Sequence, residues 1–152
     1  MTEFSVERID YIRVPVTDMD AANHFYGDLL GLQRNPNSPD ADWVETRVAD
    51  PVLLFRFSAV TANAHRIHYD HPYATGVEGY PDLVVHGPLT AVLLADLARR
   101  RGDRDWRSVS YRARAPHYAN RRFWLTGTPT DDGAELAAVR ADHTVAMTLE
   151  VR

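Results

Sequence analysis

The segment HGPLTAVLLADLARRRGD, residues 86–103, constrains the fold more than any other stretch of the chain. Gly87 and Pro88 open it, its body is apolar, and a run of arginines followed by Gly102 closes it, so start, body and stop all favour one long helix. Its middle, LTAVLLADL, is apolar around most of its circumference, which predicts a helix wrapped by other structure. The cover comes next in the chain. RSVSYRARA, RRFWLTGTP, GAELAAVRA and HTVAMTLEV each read as a strand, and their connections, notably TDDG and ADH, are short and turn-like.

Upstream, VLLFRFSAV (residues 52–60) is rich in strand formers and is expected to be a strand that feeds the loop 61–85. One strand, a long buried helix and a run of antiparallel strands describe an α+β fold, a curved sheet around a central helix: the hot-dog arrangement. Residues 51–152 have the length of a common small domain. Ahead of them, IDYIRVPV predicts a strand and TDMDAANHFYGDLLGL a helix, with Thr17 or Asp18 as cap, Ala21, Phe25, Leu29 and Leu30 near one face and Gly31 as the stop. A polar loop, QRNPNSPDAD, then leads to a short strand at WVETRV. The expected organisation is an N-terminal module over 1–50 and a main domain over 51–152.

Composition narrows the chemistry. The chain has no cysteine, which excludes disulfides, thiolate catalysis and thiolate-bound metals. Its basic residues are all arginine, which excludes lysine nucleophiles and Schiff bases. A net charge of −4 argues against a nucleic-acid surface as the main role. No segment is apolar for long enough to span a bilayer, and MTEFSVERIDYIRVPV lacks the layout of a signal peptide, so no membrane partner and a cytoplasmic location are expected.

Four of the seven histidines fall in HRIHYDHPYATGVEGYPDLVVHGP, residues 65–88. A metal site is one reading, but His65, His68 and His71 are spaced by three, which turns a helix by about 300° and spreads the side chains around the axis. No metal is expected. Acid–base chemistry is a second reading. A histidine on a loop that enters a helix N-terminus lies near free backbone N–H groups and the positive end of the helix dipole, a setting that suits a carbonyl gaining negative charge. Gly87 permits close approach, Pro88 lacks an N–H, and His68 is the candidate proton carrier. The plain reading is that Ile67, Tyr69, Tyr73 and Tyr80 pack while the histidines are solvated or satisfied.

FSAVTANAHRIHYDHPYATGVEGYPDLVVHGPL resembles the signature of the MaoC-like, (R)-specific hydratase/dehydratase branch of the hot-dog superfamily, and is most similar to its 3-hydroxyacyl-thioester dehydratases and mesaconyl-type CoA hydratases. The resemblance covers residues 51–152. It implies a hydro-lyase that interconverts (3R)-hydroxyacyl and trans-2-enoyl thioesters without metal or redox cofactor, coenzyme A or phosphopantetheine being part of the substrate. It further implies an acyl-CoA or acyl-carrier-protein partner and a homodimer. In that family an acid and a histidine five positions later share the catalytic water. Here the histidine position is His68 and the acid position holds Asn63, an amide that can orient water but not take its proton, which leaves His68 to act alone or with a carboxylate such as Asp70. The resemblance also assigns the thioester carbonyl to the Gly87 N–H; His86 is expected to shape the helix start, Arg66 and Tyr80 either line the pocket or are simply buried in the loop, and Arg112 and Arg114, alternating along a strand, either meet coenzyme A phosphates or form an exposed strand face.

Residues 1–50 are instead similar to the opening module of the glyoxalase, or vicinal oxygen chelate, superfamily, on IDYIRVPVTDMDAANHFYGDLLGLQ. Tyr11 stands at the first ligand position and LLFRF where a glutamate would come, so a working chelate site is not expected. The rival functions are a non-catalytic hot-dog scaffold, a metal-dependent chelate-type lyase or isomerase, and a thioesterase.

Overall fold

The computed structural model describes residues 41–102 and 106–152, which belong to a compact unit running from Pro36 to Arg152. The strand, helix and Tyr11 position expected before residue 41 lie outside the described residues. In chain order the elements are β1 (Trp43–Val48), α1 (Pro51–Val60), a 3-10 turn (Arg66–His68), α2 (His71–Gly76), α3 (Gly87–Arg101), β2 (Val109–Ala113), β3 (Arg122–Thr130), β4 (Gly133–Arg140) and β5 (Val145–Val151).

The strands form one antiparallel sheet in the order β1-β3-β4-β5-β2. The β3–β4 hairpin closes on the pair Thr130↔Gly133 around Asp131 and Asp132. Glycine is required there, since a Cβ on Gly133 would stand 1.8 Å from the Val151 carbonyl oxygen. Alternation along β5 sends Met147, Leu149 and Val151 inward, and Leu136 and Ala138 on β4 do the same. β1 precedes residue 51, the expected start of the main domain, and pairs along its whole length with β3, from Trp43↔Gly127 to Val48↔Arg122.

α3 lies against this sheet and buries Leu89, Ala91, Leu94, Leu97 and Ala98 among Phe123, Leu125, Leu136 and Leu149. Each large apolar side chain so buried contributes roughly 1.5–3 kcal/mol. The helix is not covered on every side as its composition predicts, for Val92 is 57 % exposed. Its C-terminal turn is tied to the sheet edge by Arg100, whose Nη2–H donates to buried Glu45 of β1 at 2.9 Å. A cation at that end of a helix also meets favourable dipole charge.

The expected strand VLLFRFSAV is α1, a helix. Asp50 caps it, its carboxylate accepting from Leu53 N–H at 2.7 Å, and Pro51 follows in the first turn. Those start signals outweigh the strand propensity of Val and Phe. Only Leu54 and Ser58, four residues apart on one face, are buried. The helix ends where Thr61 Oγ1 donates to the Phe57 carbonyl and Ala62 turns left-handed at φ 52°.

The chain from 61 to 86 has little regular structure and is fixed by backbone bonds instead. Val84 N–H donates to Ile67 O at 3.0 Å, Val85 N–H to His117 O at 2.9 Å and Ala119 N–H to Leu83 O at 2.8 Å. These bonds lay residues 83–85 between the 3-10 turn and the segment that precedes β3. Among the described residues, no helix is long and apolar enough to cross a membrane. The architecture is the hot-dog fold.

Candidate active site

His68 sits at the end of the 3-10 turn and is buried. Its Nδ1 lies 2.7 Å from the Val84 carbonyl oxygen. A carbonyl only accepts, so Nδ1 carries the proton and Nε2 is left with its lone pair. Burial pushes the His68 pKa below 6.5, the Val84 bond opposes this, and neighbouring His65 adds to the lowering. The imidazole is therefore a neutral base at pH 7, with the lone pair on a known nitrogen.

His86 stacks on His68, with ring centroids 3.7 Å apart and planes 18° from parallel. It is fully buried at the residue before α3, and its Nε2 lies 2.8 Å from the Ser58 hydroxyl. Phe57 meets the same ring edge-on at 4.9 Å. The helix α1 thus supplies two supports for the stack. Burial, with His68 beside it, pushes the His86 pKa down to about 4.

His68 opens onto a cleft of about 340 Å³, whose lining includes Gly87, Thr90, Arg114, His117 and Met147. The first N–H groups of a helix have no partner inside it, and Pro88 has none to offer, so Gly87 and Leu89 carry the donors at the start of α3. A Cβ added at Gly87 would meet nothing nearer than Met147 Cε at 3.9 Å. That is ordinary van der Waals distance, so a side chain would fit there without displacing its neighbours.

The expected site residues divide into two groups. His68 and Gly87 share the cleft, and His86 supports it from behind through the stack. Asn63 lines a separate depression with Phe55, Ser58 and Tyr69, where its Oδ1 accepts from His65 N–H at 3.0 Å. Asp70 caps α2 by accepting from Tyr73 N–H at 3.0 Å, and it accepts from Arg66 Nη2–H at 2.7 Å. The Arg66 bond, helped by the Tyr73 N–H, holds its carboxyl below the usual carboxylate range. Arg66 in turn lies 4.1 Å from the Tyr73 ring centre, and half-buried Tyr80 packs against the core, so neither belongs to the cleft lining.

Two residues of the site have no local signal in the sequence. Ser58 comes from a helix expected to be a strand. His117 is 5 % exposed, lies 4.5 Å from the Phe123 ring, and has no hydrogen-bond partner for Nε2. Burial, with Arg140 nearby, pushes its pKa to about 4. Among the described residues there is no group of three or more His, Asp or Glu that could hold a metal.

The chain is 52% identical over 106 residues to a mesaconyl-C(4)-CoA hydratase of Chloroflexus aurantiacus, an alignment that covers 70% of this chain and 38% of that protein. The chain thus spans well under half of that relative's length. Its fold matches the (R)-hydratase from A. caviae with a TM-score of 0.60 at 18% identity, over 72% of this chain and 89% of that one. It also matches a MaoC-like dehydratase from Phytophthora capsici with a TM-score of 0.64 at 15% identity, over 78% of this chain and 42% of that one. Residues 27–119 match the family model of hydroxyacyl-thioester dehydratase type 2. With that match across most of its length and the hot-dog fold beneath it, the chain belongs to the hydroxyacyl-thioester dehydratase type 2 family.

Proposed function

We propose that this protein is an acyl-thioester hydratase/dehydratase that interconverts (3R)-hydroxyacyl and trans-2-enoyl thioesters on coenzyme A or a carrier protein, by acid–base chemistry without metal or redox cofactor. The observation that carries the proposal is the shared cleft: His68, whose Nδ1 is held by the Val84 carbonyl so that Nε2 keeps its lone pair, lines the same space as Gly87 in the first turn of α3. In hydration, His68 Nε2 takes a proton from water, and the water oxygen bonds to the β-carbon. Electrons shift through the α-carbon to the thioester oxygen, where the Gly87 N–H and the helix start oppose the growing negative charge. His68 then returns its proton to the α-carbon. Dehydration retraces the path.

Asn63 lies outside the cleft and its Oδ1 accepts from His65 N–H, so it is assigned to the framework of the loop rather than to the attacking water. Asp70 is assigned to the loop's framework through its cap and ion pair. Arg114, at the cleft, is the candidate contact for coenzyme A phosphates. A homodimer is part of the proposal. β2 is a sheet edge exposed along its whole length, with Val109 49 % and Tyr111 53 % exposed, and an edge strand of that kind pairs readily with another. The division into two modules is kept, with the hot-dog domain taken to begin ahead of β1 because β1 is part of its sheet.

The test is to mix the purified protein with trans-2-enoyl-CoA substrates of several chain lengths and to follow loss of the conjugated enoyl absorbance. Absorbance loss by the native protein, and a large drop in a folded His68→Ala variant, is the expected result. Absence of hydration on every chain, with no dehydration of the matching 3-hydroxyacyl thioesters on coenzyme A or carrier protein, would overturn the proposal.

A further inference from the structure

We propose that His86 is a positioning residue for His68: keyed by the Ser58 hydroxyl, its neutral ring is the aromatic face against which His68 holds the proton it picks up during the reaction. The inference rests on His68 being the base proposed above.

The rings are stacked at 3.7 Å and 18°, while His65 meets His68 edge-on at 5.6 Å, so His86 provides the near-parallel face of the pair. A neutral aromatic ring is negative over its face, and a cation lying on it is stabilised. A charged His86 would do the opposite, because two cations at that separation repel in a poorly solvated place.

The surroundings of His86 keep it neutral. Its Nε2 has Ser58 at 2.8 Å and its Nδ1 is buried with no partner. In the neutral ring Nε2 is paired with the hydroxyl, and the unpartnered Nδ1 can keep its lone pair without burying an N–H. An imidazolium would have two N–H groups and bury one of them without an acceptor, a cost that neutrality avoids. Ser58 is itself buried and fixed on α1, so its hydroxyl also sets the rotation of the ring.

Other charged groups around His68 do not supply this support. His65 lies on the preceding residues, Arg114 and His117 line the cleft, and Arg66 is paired with Asp70. Each of these, when cationic, disfavours a proton on His68. Against burial, which opposes the charged form, the favourable contacts are the Val84 carbonyl and the His86 face.

The experiment is an NMR titration of the His68 ring in the substrate-free protein, assigned by its loss in a His68 variant, for wild type, His86→Asn, His86→Phe and Ser58→Ala. Unfolding curves confirm that each is folded. In His86→Asn the His68 midpoint is expected to fall by about half a unit to one unit, and kcat by about three- to tenfold with KM little changed. His86→Phe keeps the ring face and is expected to stay nearer wild type than His86→Asn. Ser58→Ala, the variant to rely on if the buried His86 substitutions do not fold, should shift the midpoint in the same downward direction. An unchanged His68 midpoint in the folded His86→Asn protein, or in Ser58→Ala if that is the folded variant, would overturn the proposal. Because the titration needs no substrate, a shifted midpoint in a protein without turnover would instead count against the hydratase reading alone.

Discussion

The sheet and the loop between α1 and α3 are built by different means. The sheet is periodic: alternating side chains on β4 and β5 bury Leu136, Ala138, Met147 and Leu149 under α3, and ladder bonds repeat from β1 to β2. The loop has little periodicity, and single bonds over long sequence distances hold it, such as Ser58 to His86 and His68 to Val84. The first arrangement stores stability in many equivalent contacts. The second places a few groups accurately, so losing one of its bonds is expected to alter chemistry more than folding.

Substitutions separate the two regions. The largest effect is expected from His68→Gln, with kcat/KM for enoyl-thioester hydration falling by about 10²–10⁴ while the unfolding midpoint stays near wild type. A parallel collapse in stability would mean that the loop is structural after all. Leu94→Ala, in the fully buried stripe of α3, should show the reverse pattern. Urea unfolding should report a loss of about 2–5 kcal/mol, with turnover retained wherever the protein is folded.

Acid sharpens the same contrast. His86 and His117 have folded pKa values of about 4 against an ordinary 6.5. A histidine depressed in the folded state favours folding fully above its unfolded pKa, and that contribution is lost as pH falls through the folded value. Stability measured by urea unfolding should therefore decline from pH 6.5 toward pH 4, and a folded His117→Phe variant should decline less. Equal slopes would show that His117 is not held neutral by burial.

The smallest effect is expected from Asp70→Asn, because Asp70 caps α2 and pairs with exposed Arg66 outside the cleft lining. Turnover should change by less than about twofold, within the range of a surface substitution. A loss comparable to that of His68→Gln would restore Asp70 to the catalytic step.

The legible parts were those with local causes. Gly87, Pro88 and the arginine run announced α3, and WVETRV and the four later strands carried strand formers between turn residues. The same kind of signal was present but outweighed at Asp50 and Pro51: the Val and Phe content of VLLFRFSAV pointed to a strand, although a cap followed by proline starts a helix. His68 and Gly87 were readable as a pair from the resemblance and from the chemistry of a helix start. Ser58 was not, because its bond to His86 spans 28 positions and no periodicity connects them. His117 was hidden for a similar reason: its partners, Val85 and Phe123, meet it only through folding.

The measurement closest to the central claim is the pH dependence of kcat/KM for hydration of a trans-2-enoyl-CoA by wild type and by His68→Gln. If neutral His68 is the base, the wild-type rate falls with a one-proton limb whose midpoint lies below 6.5, the direction set by burial of the ring, and the limb is missing from the residual rate of His68→Gln. A wild-type rate that is flat down to pH 4, or an identical limb in the variant, would contradict the assignment of the proton to His68.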